Sequence, residues 1–440
     1  MINNKLLEEF DSRLTSQDKA VAGAIAKVGI NDASLNNNIV RKHTHKFSTK
    51  TLRGKRTSQN KSGRCWMFAA LNTARVDAMK NLNVESLEFS ENYSLFWDKF
   101  ERTNYFLDAV IDTVDEPLNS RVVAFLLTDP LGDGGQWDMF KAILKKYGAV
   151  PKEDMPETFA SSNTAELRTY LTGMLRFFTK QIRDEYQKTN DKKVLVNMKE
   201  DMLYKVYNIL VKALGTPPKK VTFEYTDKDK KFHRMAEMTP QEFFAKTVKW
   251  NLDDRISIIN APTKDKPFND TYTVKYLGNI SEGDPVKYLN LKIERLKEIA
   301  IESLKNGDPV WFGSDVGKSS ERKLGIMDMG VYNHELTLGY KPAWDKEGRL
   351  DYYQSLLTHA MVLTGVNLDD NGKPITWEVE NSWGEEPGDK GMFSMGDDWF
   401  SNFVYQIMVD RKYLTKEENK VYENKPKVLD PWDPMGALAL

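Results

Sequence analysis

Apolar positions first fall into a clear helical rhythm just after residue 62. Met67, Leu71, Ala74 and Ala78 follow one another at spacings of four, three and four, which stacks them on one helix face. Ser62 is the predicted cap of that helix, Cys65 lies in its first turn, and the run ends near Asn81. Similar patterns predict helices over 91–102, 118–127 and 135–147. Gly132-Asp-Gly-Gly135 between the last two is a tight turn. It lacks the preceding strand, glycine spacing and downstream acid of a dinucleotide loop, and it has no Walker lysine. From 166 to 214 the pattern is long, helical and charged on its outer faces. A short strand over 222–225 and helices over 240–246 and 287–306 complete a largely helical middle.

Strand signals come late. Residues 309–313 form a short apolar run, 359–366 another, and 375–380 alternate, with Asp369-Asp-Asn-Gly372 as the turn between the last two. The first 60 residues are polar and partly helical, ending in a basic, loop-like stretch over 50–61. Two domains with an accessory helical insertion fit this order better than one regular α/β sheet.

Composition narrows the class. A chain of 440 residues with 10 Trp, 18 Tyr and 21 Phe can build an extensive core. No stretch approaches 18 consecutive apolar residues, which excludes a membrane-spanning helix. The start, Met1-Ile-Asn-Asn-Lys-Leu-Leu, lacks the layout of a secretory signal, and the single cysteine, Cys65, cannot form an intrachain disulfide. A reducing, cytoplasmic location is expected. With 63 Lys and Arg against 64 Asp and Glu, the formal charge of -1 offers no broad electrostatic reason to bind nucleic acid. One cysteine rules out a thiolate-rich zinc site, and His43 and His45 read as surface or contact histidines. No metal or organic cofactor is implied.

The candidate chemistry is nucleophilic. A thiol nucleophile needs a base to take its proton and a group that orients the base. Cys65 at a helix start sits where unpaired N–H groups and the helix dipole favour a negative sulfur. His359 opens an apolar strand, a costly place for a residue with no polar task. A turn centred between Asp370 and Asn371 sets His359 opposite Ser382 and Asn381 opposite Ala360. The Asn381 oxygen is then within reach of one imidazole nitrogen, leaving the other for Cys65. Gln59, six residues before Cys65, can aim its amide at the oxygen of an attacked carbonyl, beside the Cys65 N–H. Trp383, just past Asn381, is placed to cover the Asn–His bond. Each of these residues alone has an ordinary structural reading; together they describe a site.

Those same segments carry a resemblance. Gln59-Asn-Lys-Ser-Gly-Arg-Cys-Trp-Met-Phe68, His359-Ala and Glu380-Asn-Ser-Trp-Gly384 resemble the active-site segments of papain-like cysteine peptidases, in the same order. Ser-Gly-Arg-Cys-Trp, Asp315-Val-Gly-Lys318 and Trp432-Asp-Pro-Met-Gly-Ala-Leu-Ala439 are more closely similar to the bleomycin hydrolase and aminopeptidase C family, over nearly the whole chain. The resemblance implies an α+β, papain-like two-lobe fold. It makes Cys65 the nucleophile, His359 the base and later acid, Asn381 the orienting residue and Gln59 the oxyanion donor. Peptide hydrolysis would run through an acyl-enzyme.

It also implies an organisation. Residues 1–60 would be an N-terminal hook and leader, and 61–160 the helical lobe with the nucleophile. Residues 161–305 would form a largely helical insertion and oligomerisation region, and 306–411 the β-rich lobe with the base. Residues 412–440 would be an extended arm reaching the cleft. Its last residues, Ala439 and Leu440, would position substrate, with the terminal carboxylate pairing with a free amino group. That makes an aminopeptidase, with an endopeptidase of the same fold as the alternative. The expected partners are peptides with a free N-terminus and identical subunits in a homohexamer. Some eukaryotic relatives bind DNA; the balanced charge here argues against it.

Overall fold

The helix that carries Cys65 runs over Cys65–Leu82, and nearly all of its 18 residues are buried. A helix buried on every side needs no polar face, so Met67, Leu71, Ala74 and Ala78 mark only part of its packed surface. The structure is a computed structural model that describes residues 1–438. Ala439 and Leu440, expected to position substrate, lie outside the described residues. Among the described residues no helix is long and apolar enough to cross a membrane.

The predicted cap of this helix is corrected. Arg64 occupies the cap position without a side-chain cap bond. The Ser62 hydroxyl instead donates to the Gln59 carbonyl at 2.6 Å and accepts from Arg64 Nε at 2.9 Å. Cys65 is therefore the first helical residue. Helices Glu91–Asp112, Arg121–Thr128 and Trp137–Tyr147 follow. The first of these runs well past 102, because Phe106, Leu107 and Val110 continue its buried face. The long charged pattern is a helical hairpin, Ala165–Thr189 and Lys192–Leu214, broken where Asn190 takes a left-handed conformation.

Behind the helices lies a 12-stranded sheet. Its centre is Val404–Asp410, Val310–Ser314, His359–Leu368 and Pro374–Glu380, all antiparallel to their neighbours. The stretch expected to be a helical insertion is not wholly so. Arg255–Ile259, Asp270–Val274 and Tyr288–Asn290 are strands of the same sheet. The helix expected over 287–306 is confined to Ile293–Lys305, since Tyr288 and Leu289 are drawn into the sheet core.

Two apolar cores sit on opposite faces of the sheet. One joins the Cys65 helix to Ala360 and Val362, and the other joins Met361, Leu363 and Val379 to the helices Ile293–Lys305 and Asp397–Phe403. The alternation along one strand sends successive side chains to different cores. The result is an α+β fold, with a helical lobe bearing Cys65 set against a β-rich lobe bearing His359 and Asn381.

Candidate active site

Cys65 and His359 meet where the two lobes touch. The Ala360 N–H donates to Cys65 Sγ at 3.5 Å, so the sulfur rests on the peptide that links His359 to Ala360. Both residues are buried, Cys65 completely and His359 at 5% exposure. Burial pushes the thiol up to about 12, against backbone N–H donors that stabilise the thiolate. Burial likewise draws the imidazole down to about 4, against the hydrogen bond that the ring donates to Asn381 Oδ1. Each group alone therefore rests neutral. A proton passing from sulfur to ring creates two charges that compensate each other in the same dry pocket.

The Asn381 side chain settles which ring nitrogen is basic. Its Oδ1 accepts the Ser382 N–H at 2.8 Å and lies 2.9 Å from His359 Nε2. Because Oδ1 accepts, Nε2 carries the hydrogen and Nδ1 keeps its lone pair for the thiol proton. The Trp383 ring lies 4.8 Å from the imidazole and packs edge-on to Phe393. Trp383 thus packs on the imidazole that bonds Asn381.

The strand register behind this contact differs from the sequence expectation. The loop spans Asp369 to Lys373, and Val362 pairs with Glu380 and Leu363 with Val379. Carried one step beyond the strand, Asn381 stands level with Met361 rather than Ala360. That single step matters, since a one-residue shift moves a side chain to the other face of the sheet. In the observed register Asn381 shares the face of His359 and Met361, and the small shift leaves Asn381 beside His359, as expected.

Gln59 is fixed from two sides. Its Oε1 accepts from the Ser382 hydroxyl at 2.7 Å, and its Nε2 donates to the Ser62 carbonyl at 2.6 Å. The backbone repeats the tie, with Gln59 N–H donating to the Ser382 carbonyl at 2.8 Å. One amide hydrogen remains for an oxyanion beside the Cys65 N–H, the two-donor arrangement that acyl transfer needs.

Three further contributors escaped the sequence reading. Ser382 orients Gln59, although it stands inside the quoted Asn-Ser-Trp motif. Asp133 in the glycine turn is buried, pairs with Lys99 Nζ at 2.7 Å and accepts the Gly63 N–H at 3.4 Å. The same residue's carbonyl takes the Trp66 indole N–H at 2.8 Å, so the turn grips the start of the Cys65 helix. Asp315, in the quoted Asp-Val-Gly-Lys segment, accepts from Ser355 at 2.8 Å and Thr358 at 3.3 Å and steadies the approach to His359. His43 is a buried contact residue, bonded to Ser394 at 2.7 Å and Asp328 at 3.1 Å.

The C-terminal arm begins with a short helix, Lys416–Tyr422, and the edge strand Lys427–Leu429, ahead of the segment from Pro431 that the sequence reads as extended. It then makes a tight turn at Pro434–Gly436, which Pro434 permits at the first helical position. Asp433 is locked to the buried Lys266 at 2.9 Å, and the carbonyls of Met435 and Ala437 accept from Tyr288 at 3.1 Å and Gln136 at 2.8 Å. Leu438 then lines an apolar cavity of about 370 Å³ together with Gly132, Leu357 and Thr358, the residue before His359.

A thiol, an imidazole held by an amide oxygen, and a fixed amide donor at the junction of two lobes define a cysteine peptidase. Comparison with known proteins agrees. The profile of the Peptidase C1-like family matches residues 1–436. Aminopeptidase C of Listeria monocytogenes is 46% identical over 436 residues, spanning 99% of this chain and 98% of that protein. Bleomycin hydrolase of Gallus gallus is 43% identical over 390 residues, 87% of this chain and 86% of that protein. The crystal structure of PepW from Lactobacillus rhamnosis HN001 superposes with a TM-score of 0.98 at 48% identity, covering 100% of this chain and 99% of that one. The chain belongs to the Peptidase C1-like family, with the papain-like α+β fold. Within it, the protein is a cysteine-type aminopeptidase similar to aminopeptidase C and bleomycin hydrolase.

Proposed function

We propose that this enzyme releases residues one at a time from peptide N-termini through an acyl-enzyme on Cys65, with its own C-terminal arm limiting how far substrate enters. His359 Nδ1 takes the thiol proton as Sγ attacks the carbonyl carbon of the first peptide bond. The oxyanion is held by Gln59 Nε2 and the Cys65 N–H. The imidazolium then returns its proton to the leaving amine, and water, deprotonated by the same ring, hydrolyses the thioester. Asn381 keeps the imidazole in the one tautomer that performs both transfers.

The observation that carries the exopeptidase reading is the seat of the arm. With Ala437 held by Gln136 and Leu438 lining the same cavity as Thr358, a substrate extended beyond its first residue on the N-terminal side collides with protein. In this reading the terminal carboxylate, which lies outside the described residues, is assigned to the substrate's free amino group, an attraction strengthened where water is scarce. The test compares the full chain with a variant lacking Ala439 and Leu440, on a free peptide and its N-acetylated twin, with products read by mass spectrometry. Single-residue release by the full chain, and internal cuts on the blocked peptide only after truncation, support the gate. Internal cuts by the full chain overturn it in favour of an endopeptidase.

The reading extends to assembly and location. Helices Asn4–Arg13 and Ser16–Val28 bury no residue in their own chain and leave Leu7, Phe10 and Leu14 exposed. On the helical hairpin, Tyr170, Phe177 and Tyr204 are exposed as well. Apolar surface of this kind suits contacts between copies, in keeping with a cytoplasmic homohexamer. Light scattering on the purified protein tests it; a monomer at micromolar concentration overturns it.

A further inference from the structure

Trp383, which covers His359, is itself covered. Arg322 stands on the short turn between the strands Ser320–Glu321 and Ile326–Met327 and sets its guanidinium carbon 4.2 Å from the Trp383 ring centroid. Its side chain is exposed, and among the described residues no carboxylate pairs with it. The neighbouring Glu321 is engaged by the Tyr332 hydroxyl at 2.7 Å and the Lys323 N–H at 3.1 Å. Glu385 and Glu386, just past Trp383, are exposed, as are Lys323 and Lys390. Arg322 is thus an uncommitted cation, stacked on the ring that packs on the imidazole.

The direction of the substrate gives this cation a task. The leaving amine receives its proton from His359, so the chain beyond the scissile bond departs past Trp383. The arm occupies the other side: the cavity lined by Leu438 includes Thr358 and Gly132 but neither Trp383 nor Arg322. Resting on the aminopeptidase reading above, we propose that Arg322 selects on the leaving-group side for a carboxylate in the residue just beyond the scissile bond. That carboxylate is the C-terminus of a dipeptide or the side chain of an acidic second residue. Guanidinium suits either, because it stays charged at every working pH and offers paired donors. The enzyme would then finish short peptides well, since the dipeptide left by earlier rounds of trimming carries its carboxylate at that position.

The test measures kcat/KM on Leu-Ala against Leu-Ala-amide and on Leu-Asp-amide against Leu-Asn-amide, for the wild type, Arg322→Gln and Arg322→Lys. The first pair reads the C-terminal carboxylate, the second the side chain. In Arg322→Gln the preference for at least one carboxylate substrate over its neutral twin falls about fivefold, the scale of an exposed ion pair. Arg322→Lys restores part of it, and added salt erodes it in the wild type. Unchanged preferences in Arg322→Gln, or equal losses on charged and neutral substrates, overturn the proposal. An enzyme that cleaves none of the four overturns the aminopeptidase reading first, and this inference with it.

Discussion

The Ser382 hydroxyl donates to Gln59 Oε1 at 2.7 Å and so ties the loop before the Cys65 helix to the loop that follows Asn381. One residue thereby joins two functions. Its N–H orients Asn381, and its hydroxyl orients Gln59. Gln59 and, through Asn381, His359 are set by the same short segment, which explains how two loops from different lobes can hold a common geometry.

Replacing Ser382 with Ala removes the hydroxyl and leaves its N–H in place. The Gln59 amide then loses one of the two bonds that set its orientation, keeping that to the Ser62 carbonyl, while Asn381 keeps its own. We expect kcat to fall roughly tenfold with KM little changed, against a loss of about 10²-fold or more for Gln59→Ala. Steady-state kinetics on an aminoacyl amide decides it; a KM effect alone would mean that Ser382 only shapes substrate binding.

Asn381→Ala leaves His359 Nε2 without its acceptor. The ring is then free to change tautomer and rotate under Trp383. The expected loss in kcat is on the order of 10²-fold or greater, and stability falls as well, because the Ser382 N–H and His359 Nε2–H both lose their buried acceptor. Wild-type rates in this variant would show that Trp383 and burial hold the ring unaided.

Burial of the neutral site predicts a pH window for stability. His359 falls from 6.5 to about 4 on folding, so the unfolded chain binds more protons between those values and stability declines as pH drops through them. Cys65 rises from 9.0 to about 12, so stability declines as pH climbs through that range. The contribution of the pair is greatest between about pH 6.5 and 9. Thermal melts of the wild type should fall more steeply below pH 6.5 than those of His359→Gln; parallel curves would contradict the assignment.

Asp133→Asn tests the grip of the glycine turn on the Cys65 helix. It leaves Lys99, whose side chain is 2% exposed, without its counter-charge. Removing one partner of a buried pair costs about 3–5 kcal/mol, and urea unfolding should register a loss on that scale. A double variant, Asp133→Asn with Lys99→Met, should recover part of it, since no unpaired charge then remains. A loss below about 1 kcal/mol in the single variant would place the pair in contact with water.

What the sequence by itself determined is the family and the segments that carry its candidate chemistry. Cys65, His359, Asn381, Gln59 and Trp383 each stand in a contiguous segment whose residue types serve one task, so their roles are legible from neighbours a few positions away. The helices and the central strands were legible for the same reason: hydrophobic periodicity is local. Boundaries were less so. The strands Arg255–Ile259, Asp270–Val274 and Tyr288–Asn290 are only three to five residues long, too short for a period to stand out, and two of them pair with strands far along the chain. Tertiary structure alone decided the register that brings Asn381 to the face of His359, the bond between Ser382 and Gln59, the Asp133–Lys99 clamp and the seat of the arm on Gln136. Each depends on contacts between residues distant in sequence. Such contacts form only where the two lobes pack, and one residue of strand register or one turn of helix decides whether they form at all.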